Sequence, residues 1–485
     1  MKELTLWPLS KLVEITKATC LKNNNFSKED LSIYGFSIDS RTVCRGDLFV
    51  AIRGDRDGHD YVMDAFKAGA QAALVSKIPK GYNDKYTLIL VKDVLIALNQ
   101  IARASRQRFN GLTIAVTGSV GKTTTKDMLK LALEPFGKVH ASAKSFNNYL
   151  GVPISLASLP PSAKYAVFEI GMNSPGEIEP LSRLVNPDHV IITKTGKSHT
   201  EKFNDEKGIA KEKASISKGM PDGGKVLLSA DGDLQDDIWE FLKSDPVEII
   251  RFGSRGSPNY FISRLDQNSD GTVLKLKLPS KNEIYFKFSF LGRHFMSNAV
   301  GVLSILSELE IDLSRGILAL SNWAPLSGRG KSYMIKVVHR NTEKLLNLID
   351  DSYNSNPISL ESSLETLACV EIPNVDERRK VERYAILGDM LELGEETESE
   401  HKNISKYDSI KKIDKIYCVG INMKMLYDKL STNQKGGWFK TTEDLIKELR
   451  NFATNADIIL VKASNSFKFH QVIDKIKGMG KVLSH

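Results

Sequence analysis

The sequence predicts an α/β protein of three domains with a phosphate-binding loop in the middle one. Three observations lead there. The chain has 485 residues, too many for a single hydrophobic core. From Leu112 onward, short apolar strands alternate with helical segments, the pattern of a parallel sheet covered on both faces. The alternation starts afresh after "PLSGRGKSYM" (325–334).

Residues 1–107 mix short strands and helices. Within them, "GHDYVMDAFKAGAQAALVSK" (58–77) reads as a helix stopped by glycine and followed by a strand. In 108–328, "LTIAVT" is a strand, "TTTKDMLKLALE" a helix, and "YAVFEI" and "DHVIIT" two more strands. The period-two stretches "TVLKLKLP" and "EIYFKFSF" within 255–290 mark a small antiparallel insertion or a sheet edge. In 329–485, "LLNLIDD", "YAILGDM", "KIYCVG" and "ADIILVK" alternate with helical patterns, which predicts a Rossmann-like α/β domain.

A hydrophobic fraction of 41% and a charged fraction of 26% are those of an ordinary globular protein. The net charge is +8, but the Lys and Arg residues are spread along the chain without a basic stripe and interleaved aromatics. That argues against nucleic acid and for small anionic ligands or plain solubility. Cys20, Cys44, Cys369 and Cys418 stand far apart, so neither a zinc site nor a disulfide framework is expected, and a reducing compartment fits. The first twenty residues lack the apolar core of a signal peptide, and nowhere do 18 apolar residues run together. A cytoplasmic protein without a membrane span is expected.

The chemistry begins at "VTGSVGKTTTKDML" (116–129). A strand runs into Gly118-Ser119-Val120-Gly121-Lys122-Thr123-Thr124, and a helix starts at once. Backbone N–H groups at such a helix start attract anions, and glycines let the backbone approach phosphate oxygens. Lys122 supplies charge to the β- and γ-phosphates, and the Thr123 hydroxyl suits Mg²⁺. Glu169 closes the strand "YAVFEI", and His199 follows "DHVIIT" within six residues. Ligands bind beyond the carboxyl ends of parallel strands, so both are candidate Mg²⁺ ligands. Taken singly, Glu169 also reads as a helix-capping acid and His199 as a loop histidine.

"TGSVGKTTT", the Glu169 strand end, "SHTEKF" (198–203) and "IAKEKASI" (209–216) resemble the Mur ligase family. These are ATP-dependent amide ligases of peptidoglycan precursor synthesis, and the short spacing between the loop glycines is the family's own form. The resemblance covers nearly the whole chain. "DSRTVCRGDLFVAIRGDRDGHDY" (39–61) is similar to the family's UDP-binding N-terminal domain, and "SFNNYLGVPISL" (145–156) to the segment after the first ATPase helix. "DDSYNSNPISL" (350–360) and "LGDMLELGEETESEH" (387–401) resemble the member that adds D-alanyl-D-alanine.

The resemblance implies that D-alanyl-D-alanine is joined to UDP-N-acetylmuramoyl-tripeptide through an acyl phosphate, with ATP and two Mg²⁺, by a monomer. It puts Thr123 and Glu169 on one metal and His199 on a second. It puts a carbamylated lysine at Lys213, with Lys211 as the competing choice and a solvated helix face as the bland reading. His294 and Asn298 of "GRHFMSN" lie near the adenine, and Arg329 reaches the γ-phosphate. Asp350 or Asp351 holds the ribose. Asn354 and Asn356 face the dipeptide or the nucleotide, or else simply make turns. Asn147 and Asn148 face substrate. Ser40, Arg41, Asp57, Gly58 and His59 hold the uridine diphosphate end, with His59 equally readable as a helix-start residue. Phe295, Lys194, Ala463 and Asn465 depart from the family pattern. Rival readings are the sister ligase adding the third stem residue, a folate polyglutamate ligase, and a non-catalytic nucleotide binder.

Overall fold

A computed structural model of the chain describes residues 5–21, 31–143, 145–197, 200–203, 205–268, 271–288, 290, 292–339, 342–371 and 380–483. Three large sheets of five, nine and seven strands follow one another along it, beside a two-stranded one formed by Trp7–Pro8 and Ser32–Ile33.

The five-stranded sheet runs in the order Thr19–Leu21, Leu88–Leu90, Ala72–Val75, Asp47–Val50, Gly35–Ser37, and only the first pairing is antiparallel. The helix expected from residue 58 begins as a 3₁₀ turn, Gly58–Tyr61, because the Asp57 side chain accepts from His59 N and tightens the first turn. It continues as helix Val62–Ala68 and stops at Gly69, whose φ of 114° suits a residue without Cβ. Helix Val94–Gln107 then leads to the second sheet; Asp93 caps it through Ile96 N at 2.8 Å.

The nine-stranded sheet is parallel from Val139–Ala141 through Tyr165–Glu169, Leu112–Thr117, His189–Ile192 and Gly224–Ser229 to Val247–Gly253. Alternation along Leu112–Thr117 explains its two-sided cover. Ile114 and Val116 join the core beneath helices Lys122–Leu133 and Arg293–Glu308. Ala115 joins the opposite core beneath helices Gly151–Ala157, Ile178–Val185 and Glu206–Ala214. The expected antiparallel insertion is the sheet's far edge, strands Tyr260–Asn268, Gly271–Lys277 and Glu283–Phe288.

The seven-stranded sheet opens with a hairpin, Lys331–His339 against Thr342–Asp351. Its first strand does not stand out in the sequence, since "KSYMIKVVH" mixes polar and apolar residues; Gly480–Val482 pairs antiparallel with its other side and forms the sheet edge. Ile458–Lys462, Arg383–Gly388, Lys415–Val419 and Lys435–Phe439 continue the sheet in parallel from Thr342–Asp351. Among the described residues no helix is long and apolar enough to cross a membrane.

Candidate active site

Strand Leu112–Thr117 is third from one edge of the nine-stranded sheet, where the connections change direction: the chain next builds Val139–Ala141 and Tyr165–Glu169 on one side, then His189–Ile192 on the other. Such a switch point leaves a crevice at the carboxyl ends of the strands. The phosphate loop fills its floor. Gly118 and Gly121 have φ of 143° and 87°. A Cβ on Gly118 would come within 2.0 Å of Thr193 Oγ1, and one on Gly121 within 2.6 Å of Asn298 Oδ1. The loop is pinned from below as well: Ser119 N and Val120 N donate to Lys194 O, and Thr193 Oγ1 donates to Val120 O at 2.6 Å. The Lys194 backbone thus sets the loop whatever its side chain.

Lys122 Nζ donates to Gly118 O at 2.7 Å, so the ammonium lies over the loop. Burial pulls its pKa down while the Glu169 carboxylate opposes the shift. Glu169 is 1% exposed and anchors a chain of polar contacts. Thr123 Oγ1 donates to Glu169 Oε2 at 2.8 Å, and Asn147 Nδ2 to Glu169 Oε1 at 2.7 Å. Ser145 Oγ lies 3.3 Å from Thr123 Oγ1 and accepts from Arg329 Nη2 at 2.9 Å. Ser145 is a residue that sequence reasoning missed; a serine two positions before the noted asparagine gave no signal of its own. Arg329, from the start of the third unit, also stacks on Tyr353 with its guanidinium 4.1 Å from the ring centre.

These groups line one cleft of about 700 Å³ together with Thr124, His294, Asn298, Asp351, Asn354, Asn356 and Lys462. Lys462 is buried and donates to Asp351 Oδ2 at 2.7 Å and to Asn354 O at 3.0 Å. His294 Nδ1 is shielded and has no partner among the described residues, and burial pushes its pKa down to about 4. A neutral imidazole thus lines the cleft. Phe295 also lines the cleft and packs behind it against Phe290 and Trp323, which accounts for an aromatic at that position. Ala463 accounts for itself similarly, its Cβ lying 2.6 Å from where a Cβ on Gly388 would be.

Several expected residues are placed elsewhere. Asp350 turns to the chain around Arg329: its carboxylate accepts from Gly328 N, Ser327 Oγ and Ser352 Oγ, so Asp351, not Asp350, reaches the cleft. Asn148 starts helix Gly151–Ala157 by accepting from Gly151 N at 2.9 Å. Asn356 lines the cleft but also caps helix Pro357–Cys369 reciprocally with Ser359. His59 is 2% exposed, with Nδ1 2.6 Å from Asp57 Oδ1 and Nε2 accepting from Ser76 N. Both ring nitrogens are therefore used inside the first unit, and the helix-start reading describes it. Asp57 also pairs with Lys77, and Arg41 with Asp39, both at 2.7 Å. Ser40, Arg41, Asp57, Gly58 and His59 do not line the cleft. His199 lies outside the described residues.

Burial separates the two candidate lysines. Lys211 is exposed, whereas Lys213 is 2% exposed, and desolvation followed by the Lys122 charge lowers its pKa well below the usual ammonium range. Its neighbour Glu212 accepts from Gly176 N and Ile178 N, both at 2.8 Å, and so ties this helix to the start of the next one in space.

Among the described residues no three His, Cys, Asp or Glu side chains converge as a self-sufficient metal site. Mg²⁺ does not need one, since it keeps several waters and takes one or two carboxylates plus substrate phosphates. The oxygen-only set of Thr123 and Glu169 beside the loop fits that habit. A larger open groove of about 1120 Å³, between helices Val94–Gln107, Ile178–Val185 and Glu206–Ala214, has no such convergence, and its Glu179 and Glu212 carboxylates are already engaged.

Three sheets in series, with a phosphate loop at the switch point of the second and an arginine entering from the third, define a multidomain α/β nucleotide-binding protein. Three family models match the chain: the Mur ligase family catalytic domain at 32–106, the Mur ligase middle domain at 116–306 and the Mur ligase glutamate ligase domain at 336–465. The UDP-N-acetylmuramoyl-tripeptide–D-alanyl-D-alanine ligase of Rickettsia prowazekii is 34% identical, covering 90% of this chain and 93% of its own. The same enzyme of Bacillus subtilis is 30% identical, covering 96% and 97%. A crystal structure of MurF from Acinetobacter baumannii superposes with a TM-score of 0.78 at 26% identity, over 98% of this chain and all of that one. The chain belongs to the Mur ligase family.

Proposed function

We propose that this protein joins D-alanyl-D-alanine to UDP-N-acetylmuramoyl-tripeptide with ATP, as its relatives' names describe. One observation supports the reading above the others: the phosphate loop, the Thr123–Glu169 pair and Arg329 share one cleft with Asn354 and Asn356 of "DDSYNSNP". Residues 1–107 would hold the uridine diphosphate end, 108–328 the ATP and 329–485 the dipeptide. The work is cytoplasmic, where ATP is supplied.

Amide formation from a carboxylate is uphill in water. ATP supplies the phosphoryl group that turns the tripeptide carboxylate into an acyl phosphate; the dipeptide amine then attacks the carbonyl, phosphate leaves and the amine loses a proton. The chain's own residues bring negative oxygens together. Loop N–H groups from Gly121 to Thr124, with Lys122, would bind the phosphates, and Arg329 adds a fork-shaped donor from the opposite wall. Thr123 and Glu169 would hold Mg²⁺, with His199 supporting a second ion. His294 and Asn298 would meet the base, Asp351 the ribose. Each preorganised charge of this kind is worth about 10²–10³ in rate.

Lys213 supports a further step. A buried, neutral amine is the form that adds CO₂, losing a proton to give a carbamate, and the resulting anion could serve the metal where a cation could not. Removing bicarbonate should therefore lower activity, and returning it should restore the rate; full activity of Lys213→Ala in bicarbonate-free buffer would sink the carbamate.

The overall reading is tested by phosphate release from ATP with UDP-N-acetylmuramoyl-tripeptide, with and without D-alanyl-D-alanine. Release that needs both, with a pentapeptide product by mass, is expected. Release with the dipeptide precursor and a diamino acid instead would assign the sister reaction.

A further inference from the structure

The segment "LGDMLELGEETESEH" carries none of the cleft-lining groups, yet it bonds directly to the second unit. Two of its residues sit in left-handed backbone, Glu392 at φ 62° and Gly394 at φ 55°. That turn aims consecutive carbonyls outward. Glu392 O accepts from Glu201 N at 3.4 Å, and Leu393 O accepts from Thr200 Oγ1 at 3.0 Å. The approach is tight: a Cβ on Gly394 would lie 2.9 Å from Glu201 Cα. Behind the turn, buried His401 fixes its conformation, accepting from Met390 N at Nε2 and donating from Nδ1 to Thr397 O.

Beside these carbonyls stands one lysine shared by three carboxylates. Lys197 Nζ lies 2.8 Å from Glu396, 3.6 Å from Glu400 and 3.3 Å from Glu206. Glu396 and Glu400 belong to the third unit, whereas Glu206 opens the helix that carries Lys213. Glu396 Oε2 is shielded and finds no partner among the described residues. Without Lys197, three carboxylates would face one another across the joint with no other ion-pair partner shared among them in the described residues. Its ammonium is held firmly charged, above all by the Glu396 hydrogen bond.

We propose that residues 392–400 and Lys197 form a latch that holds the third unit closed over the phosphate loop, with Lys197 as its positioning residue. The latch keeps Arg329 and Asp351 across the cleft from Lys122 and joins closure to the Lys213 helix through Glu206. Its consequence for ligation rests on the function proposed above; its existence does not.

The test is small-angle scattering of the whole chain without substrates, comparing the wild type with Lys197→Glu, Glu396→Lys and the Lys197→Glu/Glu396→Lys double variant. Each single variant should shift the closed-to-open ratio about fivefold or more and increase the radius of gyration. The double variant, with the charges exchanged, should regain compactness. Circular dichroism of all four guards against unfolding, and Glu396→Gln/Glu400→Gln gives the same expansion with a milder change. Wild-type dimensions in both single variants, or a double variant no more compact than they are, would overturn the latch. If the latch holds, the loss in the single variants should fall on KM for D-alanyl-D-alanine, the substrate assigned to the third unit, more than on kcat; failure of turnover with every substrate would count against the function alone.

Discussion

Lys122 is surrounded by groups that give its charge a purpose: loop carbonyls beneath it, Glu169 beside it and Arg329 opposite. Lys122→Ala should lower kcat by at least about 10²-fold while leaving the fold intact, measured by phosphate release alongside a thermal melt. Gly121→Ala should fail for a different reason. The added methyl meets Asn298 and the φ of 87° is strained, so nucleotide affinity should fall even though no charge is lost; calorimetry with ADP separates the two cases. Histidines set an acid limit. Burial holds both His140 and His294 down to about 4, below the 6.5 of an unfolded chain. The unfolded state then binds more protons between those values, so stability is complete above pH 6.5 and falls as pH drops toward 4. Melting temperature against pH should show this slope, and His140→Gln should flatten part of it.

Helices act here through their ends. Glu212 receives two backbone N–H groups from the segment leading into helix Ile178–Val185, a buried carboxylate doing the work of a cap. Glu212→Ala strands both donors and should cost about 2–3 kcal/mol, read by urea unfolding. At this scale the sequence was only partly legible. Strand Leu112–Thr117 and helix Lys122–Leu133 were plain because their periodicity, loop glycines and helix start all agree. The choice between Lys211 and Lys213 was not, because "KEK" reads as a solvated face and burial depends on which helices lie against it. Likewise, an Asp-Asp pair says nothing about which carboxylate turns to the hairpin and which to the cleft.

The whole molecule is joined at two seams. The second–third seam holds the proposed latch and the Arg329–Ser145 hydrogen bond. The first–second seam centres on Arg108, whose guanidinium lies 3.3 Å from the Trp7 ring centre and donates to Leu6 O and Leu159 O, while Trp7 Nε1 donates to Ala157 O. Arg108→Ala should loosen the first unit by about 2 kcal/mol, seen as faster hydrogen exchange across 5–16 with unchanged ADP affinity. What the sequence determined by itself was local: two runs of strand–helix alternation after a mixed first region, and a phosphate loop whose glycines, lysine and threonine must be contiguous to work. Which side chains meet across the cleft was decided only by the tertiary structure. Arg329 and Ser145 are 184 positions apart, Lys197 and Glu396 199, and no short-range pattern encodes the packing that brings such residues to within 3 Å.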